Sequence, residues 1–254
     1  MDIILYNIGT VIFLLIFGYL IGSIPNAIWI GKLFFHKDPR DYGSGNAGGT
    51  NAGRVFGKGV GVIVILLDGI KVIFALYIAW LLTTKLPIYH GNSLVSTVQE
   101  TYLGSDVDHI ITYPVYWITT ISCSLGHIYP IFAGFRGGKN VASYYGLIFG
   151  ASWFIGLIPI IAFFIILKIC KYVSLSSIIS AWIGVLAAWI WAILVLCGVF
   201  SGSANWFVGW GNSLDCNYLY AICATVSATI LTIKHKPNII RLKQGTESKI
   251  TWMK

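Results

Sequence analysis

The chain has 254 residues, of which 57% are hydrophobic and only 10% are charged, and its mean hydropathy is +0.79. Soluble domains have about 25% charged residues, so this composition excludes an ordinary soluble protein and indicates an integral membrane protein. The formal net charge is +8. In a membrane protein the positive-inside rule explains such an excess of Lys and Arg, so we do not expect nucleic-acid binding.

The first predicted span covers residues 8–35. It is apolar over about 25 positions, enough to cross ~30 Å of hydrocarbon with some tilt. It is too long for the core of a signal peptide and has no basic leader, so we expect a retained helix. Pro25 lies in its second half beside small polar residues and should bend the helix axis.

A polar segment, residues 36–58, follows and contains the run GSGNAGGTNAGRVFGK at 43–58. Gly residues let several backbone N–H groups turn towards one anion, and the hydroxyl, amide and cationic side chains of the run are further donors. This pattern is typical of a phosphate site in a loop. The alternative is a flexible loop without a ligand, because Gly and Asn are also common in turns.

The next two spans are predicted at residues 60–82 and 110–127, and the acidic stretch 83–109 between them suits the outer side. Asp68 and Lys71 lie three positions apart in the second span and therefore on one helical face. The pattern is compatible with a structural ion pair or with a catalytic role.

The apolar block 141–167 permits two interpretations: one long helix, or a short helix to about Gly150, a turn, and a longer helix from Ser152. Cations lie on both sides of the block, and the positive-inside rule places both sides in the cytoplasm. We therefore expect the block to cross the membrane twice. Further spans are predicted at 175–199 and 214–233, separated by the cation-free loop 200–213.

This topology places 14 of the 17 Lys and Arg residues in segments on one side, and Lys32 lies at the end of the first span that adjoins that side. The sequence therefore predicts an all-α, polytopic membrane protein with seven transmembrane helices, its N-terminus outside and its C-terminus in the cytoplasm. No internal repeat or soluble second domain is visible, so we expect one integral membrane domain over residues 1–254.

Four polar clusters fall on the predicted cytoplasmic face: the run at 43–58, the Gly137-Gly138-Lys139 turn, the segment 172–174, and His235 with Asn238 and Arg241.

Each cluster also has a simpler interpretation. Lys139 suits a positive-inside anchor, and Ser174 suits the N-cap of the following helix. His235 suits an interfacial side chain that extends towards water. His127, just before a Pro turn, suits a helix-end residue that is hydrogen-bonded locally.

A family resemblance rests on five strings taken together: DPRDYGSGNAGGTNAGRVFGK, LLDGIK, LGHIYPIFAGFRGGKNVAS, KYVSLSSI and KHKPNIIRLKQGTE. From about residue 18 to 247 the chain resembles the bacterial acyl-phosphate:glycerol-3-phosphate acyltransferases. The resemblance implies a seven-helix membrane enzyme of phospholipid synthesis. Its reaction moves an acyl chain from acyl phosphate to the 1-hydroxyl of glycerol 3-phosphate and gives lysophosphatidic acid and phosphate. It also implies a functional link to an enzyme that forms acyl phosphate.

Two phosphorylated substrates require two phosphate sites at one membrane surface, together with a groove for the acyl chain. We expect the catalytic residues to be Ser44, Arg54, Lys139 and His235. We expect the substrate-binding residues to be Gly43, Gly45, Asn46, Thr50, Asn51, Gly137, Gly138, Ser174, Asn238 and Arg241. The roles of Ser174 at a phosphate, and of His235 and Asn238 at glycerol 3-phosphate, are implied by the resemblance.

Acyl phosphate is an activated donor, so direct attack by the glycerol hydroxyl is the simplest scheme, and we expect neither a cofactor nor a metal. His235 and a substrate phosphate oxygen are both candidate proton acceptors. The chain departs from the family pattern at Asn140, where Gly is usual, and at Ser143, where Thr is usual. Asn tolerates the left-handed backbone region, so we expect the turn to be retained.

Two other functions compete with this one. Cationic, Gly-rich sites also bind anions in transit, which would suit a transporter or channel for a phosphorylated solute. Such transporters often have related halves, and no halves repeat here. A scaffold that binds anionic membrane lipids would explain the charge but not the pattern of Asn and Gly.

Overall fold

The computed structural model describes residues 2–84, 95–102, 105–112, 114–197, 199 and 218–250, with side chains from residue 8 but not at 84 or in 95–112. Ten α-helices, three short 3-10 helices and a two-stranded antiparallel hairpin lie in these ranges. The elements in chain order are α1 (Asp2–Gly22), α2 (Asn26–Phe35), α3 (Gly49–Phe56), α4 (Lys58–Thr84), β1 (Val95–Tyr102), β2 (Ser105–Thr112), α5 (Ile118–Ile128), α6 (Val141–Ala151), α7 (Trp153–Cys170), α8 (Val173–Leu196), α9 (Tyr218–Lys234) and α10 (Lys236–Lys243).

Four helical segments of the described chain are long and apolar enough to span a membrane: Ile8–Phe35, Lys58–Thr83, Trp153–Cys170 and Val173–Leu196. Val141–Ala151 and Tyr218–Lys234 are shorter apolar helices. Many large apolar side chains on these helices are exposed, which suits contact with lipid. The chain thus has the helices of an integral membrane protein.

The first predicted span is broken near its proline. The chain leaves helical geometry after Gly22 and resumes it at Asn26, with Pro25 at the N-cap of α2. A proline lacks an N–H and clashes with the preceding turn, so it ends one helix and suits the start of another.

The apolar block 141–167 divides as the sequence predicts. Ser152 leaves the helical region with φ −155° and forms the N-cap of α7, and its Oγ accepts a hydrogen bond from the N–H of Ile155 at 3.4 Å. This serine ends α6 and starts α7, because its hydroxyl satisfies an N–H that the first turn leaves free.

Two boundary predictions were wrong. The run at 43–58 is a loop only in its first half, because its second half forms α3. Ala52 and Phe56 of α3 pack among apolar residues of α2 and α4, with the rings of Phe35 and Phe56 4.6 Å apart. Short helices are stabilised mainly by such tertiary packing, which the Gly content of the sequence conceals.

The second wrong boundary concerns the third span, which begins at Ile118 and not near residue 110. Residues 105–112 form β2, which pairs with β1 from Val95↔Thr112 to Tyr102↔Ser105, and Val115–Trp117 form a short 3-10 helix before α5. The helical prediction therefore holds for the membrane body but not for this connection. The predicted loop 200–213 lies outside the described residues.

The centre of the bundle is a cluster of buried residues from α1, α4, α5, α6, α7, α8 and α9 and from the turn before α5, including Trp117, Tyr144 and Tyr220. Glycines let backbones approach closely at two crossings. A Cβ at Gly22 would overlap the backbone of Cys123 on α5, and a Cβ at Gly146 would overlap Gly69 on α4. Small residues at crossings are typical of helix packing in membranes.

Candidate active site

Asn51 organises the turn before α3. Its side chain is 1% exposed. Nδ2 donates to the carbonyl oxygens of Pro39 (2.7 Å), Tyr42 (3.2 Å) and Asn46 (2.9 Å), and Oδ1 accepts from the N–H of Ser44 at 2.7 Å. Both ends of the amide are engaged within the loop, so we assign Asn51 to shaping the loop and not to the direct phosphate contact expected from the sequence.

Asn51→Asp is expected to be more damaging than Asn51→Ala. Alanine leaves three carbonyl groups and one N–H without their partner, at about 1–3 kcal/mol for each buried group left unsatisfied. Aspartate would in addition direct negative charge at the three carbonyl oxygens. Thermal unfolding and turnover of both variants test this order. A loss in Asn51→Asp no greater than that in Asn51→Ala would contradict this order, and no loss in Asn51→Ala would show that the hydrogen bonds do not hold the loop.

Gly43 and Gly45 adopt φ values of +61° and +67°. A Cβ at Gly43 would overlap Oδ1 of Asn51, and the N–H of Gly45 donates to the carbonyl of Tyr42 at 3.1 Å. The glycines therefore permit a turn that closes on Asn51.

The polar and cationic side chains that the run at 43–58 exposes are Ser44, Thr50, Arg54 and Lys58, whereas Asn46 is half-buried. Thr50 and Arg54 lie four positions apart on α3 and therefore share a helical face. These are the groups that the segment offers to a ligand.

Arg40 joins this segment to the loop that carries Lys139. Its Nη1 donates to the carbonyl oxygens of Ala133 at 2.7 Å and Arg136 at 3.3 Å, while Asp38 accepts from Nε at 3.0 Å and from Nη2 at 2.8 Å. The hydrogen-bonded pair lowers the pKa of Asp38 and raises the pKa of Arg40. Two polar segments that are distant in sequence are thus held together.

Gly137 and Gly138 pack directly on the end of α5. The N–H of Gly137 donates to the carbonyl of Ile128 at 3.1 Å, and that of Gly138 donates to the carbonyl of His127 at 3.0 Å. A Cβ at either glycine would overlap atoms of His127. Their N–H groups are therefore engaged within the protein, and the turn presents the side chain of Lys139.

Lys139 lies among other charges. Its Nζ donates to Oδ1 of Asn238 at 2.7 Å. Burial lowers the pKa of Lys139, and the positive charges of Arg241 and Arg54 lower it further, while Glu247 acts in the opposite direction. A bound anion would stabilise the charged amine, so this arrangement favours a phosphate. Arg54 of α3 is therefore among the positive charges that act on Lys139.

Asn140 adopts a left-handed conformation with φ +70°, so the turn is retained as predicted. Its Nδ2 donates to the carbonyl oxygen of Ser227 at 3.1 Å and to the Oγ of Ser227 at 2.9 Å. Ser227 lies on α9, which ends immediately before His235. Asn140 thereby connects the Lys139 turn to the helix that carries His235.

Glu247 gathers three of the predicted substrate-binding residues. Its Oε1 accepts from Oγ of Ser174 and from Nδ2 of Asn238, and its Oε2 accepts from Nε of Arg241, each at 2.7 Å. The Glu247 side chain is 9% exposed. Burial by itself would raise the pKa of Glu247, but the donors from Asn238, Ser174 and Arg241 lower it below its ordinary value.

His235 is 3% exposed, and its Nδ1 lies 2.8 Å from the carbonyl oxygen of Leu231. A carbonyl oxygen only accepts, so Nδ1 carries the hydrogen and Nε2 is the acceptor of the neutral ring. Burial lowers the pKa of His235 to about 4, and the charge of Lys139 contributes. The imidazole is therefore neutral at pH 7.

The lowered pKa of His235 predicts a loss of stability in acid. The unfolded chain binds a proton near pH 6.5, whereas the folded chain does so only near pH 4. The contribution of neutral His235 to the free energy of unfolding is therefore fully present above about pH 6.5 and declines as the pH falls towards about 4. His235→Asn keeps an N–H donor but does not titrate. We expect its thermal midpoint to decline less than that of the wild type between pH 7 and 5, and an equal decline would contradict the assignment.

The geometry excludes two of the simpler interpretations, those of Ser174 and His235. Ser174 is not the N-cap of α8, because Tyr172 occupies that position and Ser174 donates to Glu247. His235 is buried, so it is not an interfacial side chain that extends towards water.

Glu247 and Arg40 carry contacts to which sequence reasoning assigned no role. The tail from Lys234 has six Lys or Arg residues and only one acidic residue, Glu247. A lone carboxylate among cations was the available signal. No comparable signal marks Arg40, because its carbonyl partners depend on the fold.

Residues 12–245 match the family model for glycerol-3-phosphate acyltransferase. The chain belongs to the glycerol-3-phosphate acyltransferase family. This acyltransferase is 36% identical over 243 residues to the glycerol-3-phosphate acyltransferases of Staphylococcus aureus strains bovine RF122 / ET3-1 and JH9, with 96% of this chain and 99% of each relative covered. The family resemblance of the sequence motifs is confirmed.

The fold of this acyltransferase is similar to that of PlsY (YgiH), an integral membrane glycerol 3-phosphate acyltransferase. The crystal structure of its glycerol 3-phosphate form gives a TM-score of 0.69 and 30% identity over 95% of this chain and 96% of that chain. The lysophosphatidic acid form gives a TM-score of 0.67 and 29% identity over 95% of each chain. Membership in this family favours an acyltransferase over the transporter and scaffold interpretations.

Proposed function

We propose that this chain transfers an acyl group from acyl phosphate to the 1-hydroxyl of glycerol 3-phosphate and releases lysophosphatidic acid and inorganic phosphate. The observation that carries the proposal is the chain of hydrogen bonds that runs from Lys139 to Asn238 and from Asn238, Ser174 and Arg241 to Glu247, because it brings four predicted site residues together. The two ligand forms of PlsY support the acceptor and the product. Acyl phosphate as donor rests on the motif resemblance.

The site has two sets of donors, and the two phosphate groups share them. One set is the exposed face of α3 with Ser44, Thr50 and Arg54. The other is Lys139, whose ammonium has three N–H donors, only one of which is needed for Asn238. Ser174, Asn238 and Arg241 act on the substrate mainly through Glu247, which fixes the position of Asn238 and hence of Lys139.

The transfer is a single displacement at the acyl carbon. The 1-hydroxyl oxygen forms a bond to the carbonyl carbon, and the bond from that carbon to the phosphate oxygen breaks, so the electron pair leaves with phosphate. The mixed anhydride is already activated, so no covalent enzyme intermediate is required. Lys139 and Arg54 stabilise the negative charge that develops on the leaving phosphate, a contribution of about 3–4 kcal/mol for one well-placed donor.

The hydroxyl proton has two candidate acceptors, Nε2 of His235 and a phosphate oxygen of the substrate. A phosphate group has a pKa of about 6 for its second proton, whereas that of His235 is lowered to about 4. The phosphate oxygen is the stronger base and is better matched to neutral pH. We therefore assign the proton to the phosphate and assign His235 to accepting a hydrogen bond that orients the hydroxyl.

We further propose seven membrane crossings by a single domain over residues 1–254, with the N-terminus outside and the site at the cytoplasmic face. The one-sided distribution of Lys and Arg supports this orientation. Cysteines introduced at Lys85 and Lys168, in a background without native cysteines, should react from opposite sides with a membrane-impermeant maleimide. Reaction of both from the same side would contradict the orientation.

The decisive assay supplies the purified protein with acyl phosphate and glycerol 3-phosphate. We expect release of phosphate together with stoichiometric lysophosphatidic acid. The absence of both products, under conditions in which a Staphylococcus aureus relative is active, would reject the proposed reaction. Phosphate flux across proteoliposomes without acyl phosphate would instead favour the transporter.

A further inference from the structure

A cluster of buried polar side chains on α4 and α5 has no part in the proposed transfer step. Asp68 is 1% exposed, Lys71 is 6% exposed and His127 is 7% exposed. Removing charged groups from water costs several kcal/mol for each ion unless close partners compensate. The ion pair between Asp68 and Lys71 that the sequence suggests is present, with Nζ and Oδ1 2.9 Å apart.

Lys71 also binds groups on two other elements. Its Nζ donates to the carbonyl oxygen of Ile24, at the break between α1 and α2, at 2.8 Å, and lies 3.2 Å from Nδ1 of His127 on α5. The same Nδ1 lies 3.6 Å from Oδ1 of Asp68, so the ring contacts both members of the ion pair. The ring of His127 is therefore oriented by Lys71, and the local hydrogen bond expected for a helix-end residue is not its role.

The opposite edge of this ring supports the turn that presents Lys139. A Cβ at Gly138 would overlap Nε2 of His127 and would lie 2.8 Å from Cε1. The backbone of Gly138 is attached to the same residue, because its N–H donates to the carbonyl of His127. His127 thus contacts Gly138 through both its ring and its backbone, one residue before Lys139.

We propose that His127, oriented by the Asp68–Lys71 pair, is a positioning residue that sets the placement of Lys139 through Gly138. The kinetic role rests on the proposed function, in which Lys139 binds phosphate. A purely stabilising ion pair would affect unfolding but would not link the size of the ring at His127 to the position of Lys139. The contact between the ring and Gly138 provides a test that separates the two roles.

The test is a rescue experiment with G138A, H127N and the double variant H127N/G138A. G138A places a methyl group against the ring, and we expect a loss of about 100-fold in kcat, the effect of displacing a reacting group by about 1 Å. In H127N the shorter side chain keeps an oxygen that can accept from Lys71 but lacks the atoms that the methyl group meets. G59A is the matched control, because a Cβ there meets nothing within 4 Å.

Two readouts are measured for each variant: kcat with KM for glycerol 3-phosphate, and the labelling of Lys139 relative to exposed Lys168 by an amine-reactive reagent. We expect H127N/G138A to recover at least about tenfold of the kcat lost in G138A and to return the labelling ratio towards the wild-type value. A double variant no better than G138A in both readouts would overturn the proposal. If the wild-type protein has no turnover, the proposed function fails, and the labelling ratio alone decides the positioning role in the same way.

Discussion

Replacing Lys139 with alanine is expected to lower kcat/KM by about 100- to 1,000-fold, which corresponds to the loss of one well-placed donor to a developing oxyanion. Lys139 is hydrogen-bonded to Asn238, and the positive charge of Arg54 is one of the causes that lower its pKa. Arg54→Ala should have an effect of the same order, because Arg54 is exposed on the face of α3 that the site shares. Rates of phosphate release over a range of both substrates measure these effects.

Lys168→Ala is the matched control for the Lys139 variant. Lys168 is an exposed cation in the last turn of α7, and none of the hydrogen bonds described for the site involves it. We expect near-normal kinetics for this control and an unchanged thermal midpoint for all three variants. Lys139→Ala with a rate within about threefold of the wild type would remove Lys139 from the site, because such a change is under 1 kcal/mol.

Replacing Glu247 with alanine is expected to destabilise the C-terminal segment and to lower turnover together. Glu247 accepts hydrogen bonds from Ser174, Asn238 and Arg241, and bonds to a charged group typically contribute about 1.5–3 kcal/mol each. Without the carboxylate, Asn238 loses one of its two anchors and holds Lys139 less firmly. Thermal unfolding and kcat of the same preparation test whether the two losses occur together.

The pH dependence separates the charge of Glu247 from its shape. The pKa of Glu247 is lowered in the folded state, so the carboxylate stabilises the fold fully above the ordinary Glu pKa of about 4.5. This contribution to stability is lost as the pH falls further. Glu247→Gln keeps the shape and should have a thermal midpoint that is lower at pH 7 but converges with the wild type in acid. Asp41→Asn, at an exposed acidic residue, is the control. A constant difference at all pH values would contradict the role of the charge.

The helices of the membrane body follow from local properties of the sequence. Hydropathy and the two cation-flanked ends of residues 141–167 predict the division at Ser152, which the structure confirms. The same reasoning missed α3, because six glycines in the run at 43–58 indicate a loop, while the packing of Phe56 against Phe35 stabilises a helix. Local propensity decides an element only where tertiary packing does not oppose it.

The candidate site, like the fold, is predicted only in part by the sequence. The sequence identifies the residue types and the two Gly-rich turns, but it cannot show which N–H groups are already engaged. The N–H groups of Gly137 and Gly138 donate to carbonyls of α5, and Asn51 is engaged within its own loop. Sequence patterns count potential donors, whereas only the folded chain shows which donors are left for a ligand.

By itself, then, the sequence determined a membrane location, the polar run before α4 and the chemistry of an anion site, because hydropathy, charge and residue type are properties of each position. Tertiary structure alone decided that Glu247 gathers Ser174, Asn238 and Arg241, that Arg40 connects the two loops, and that the ring of His127 lies beneath Gly138. These contacts join residues far apart in the chain. Their existence depends on how the helices pack, and no local pattern records that packing.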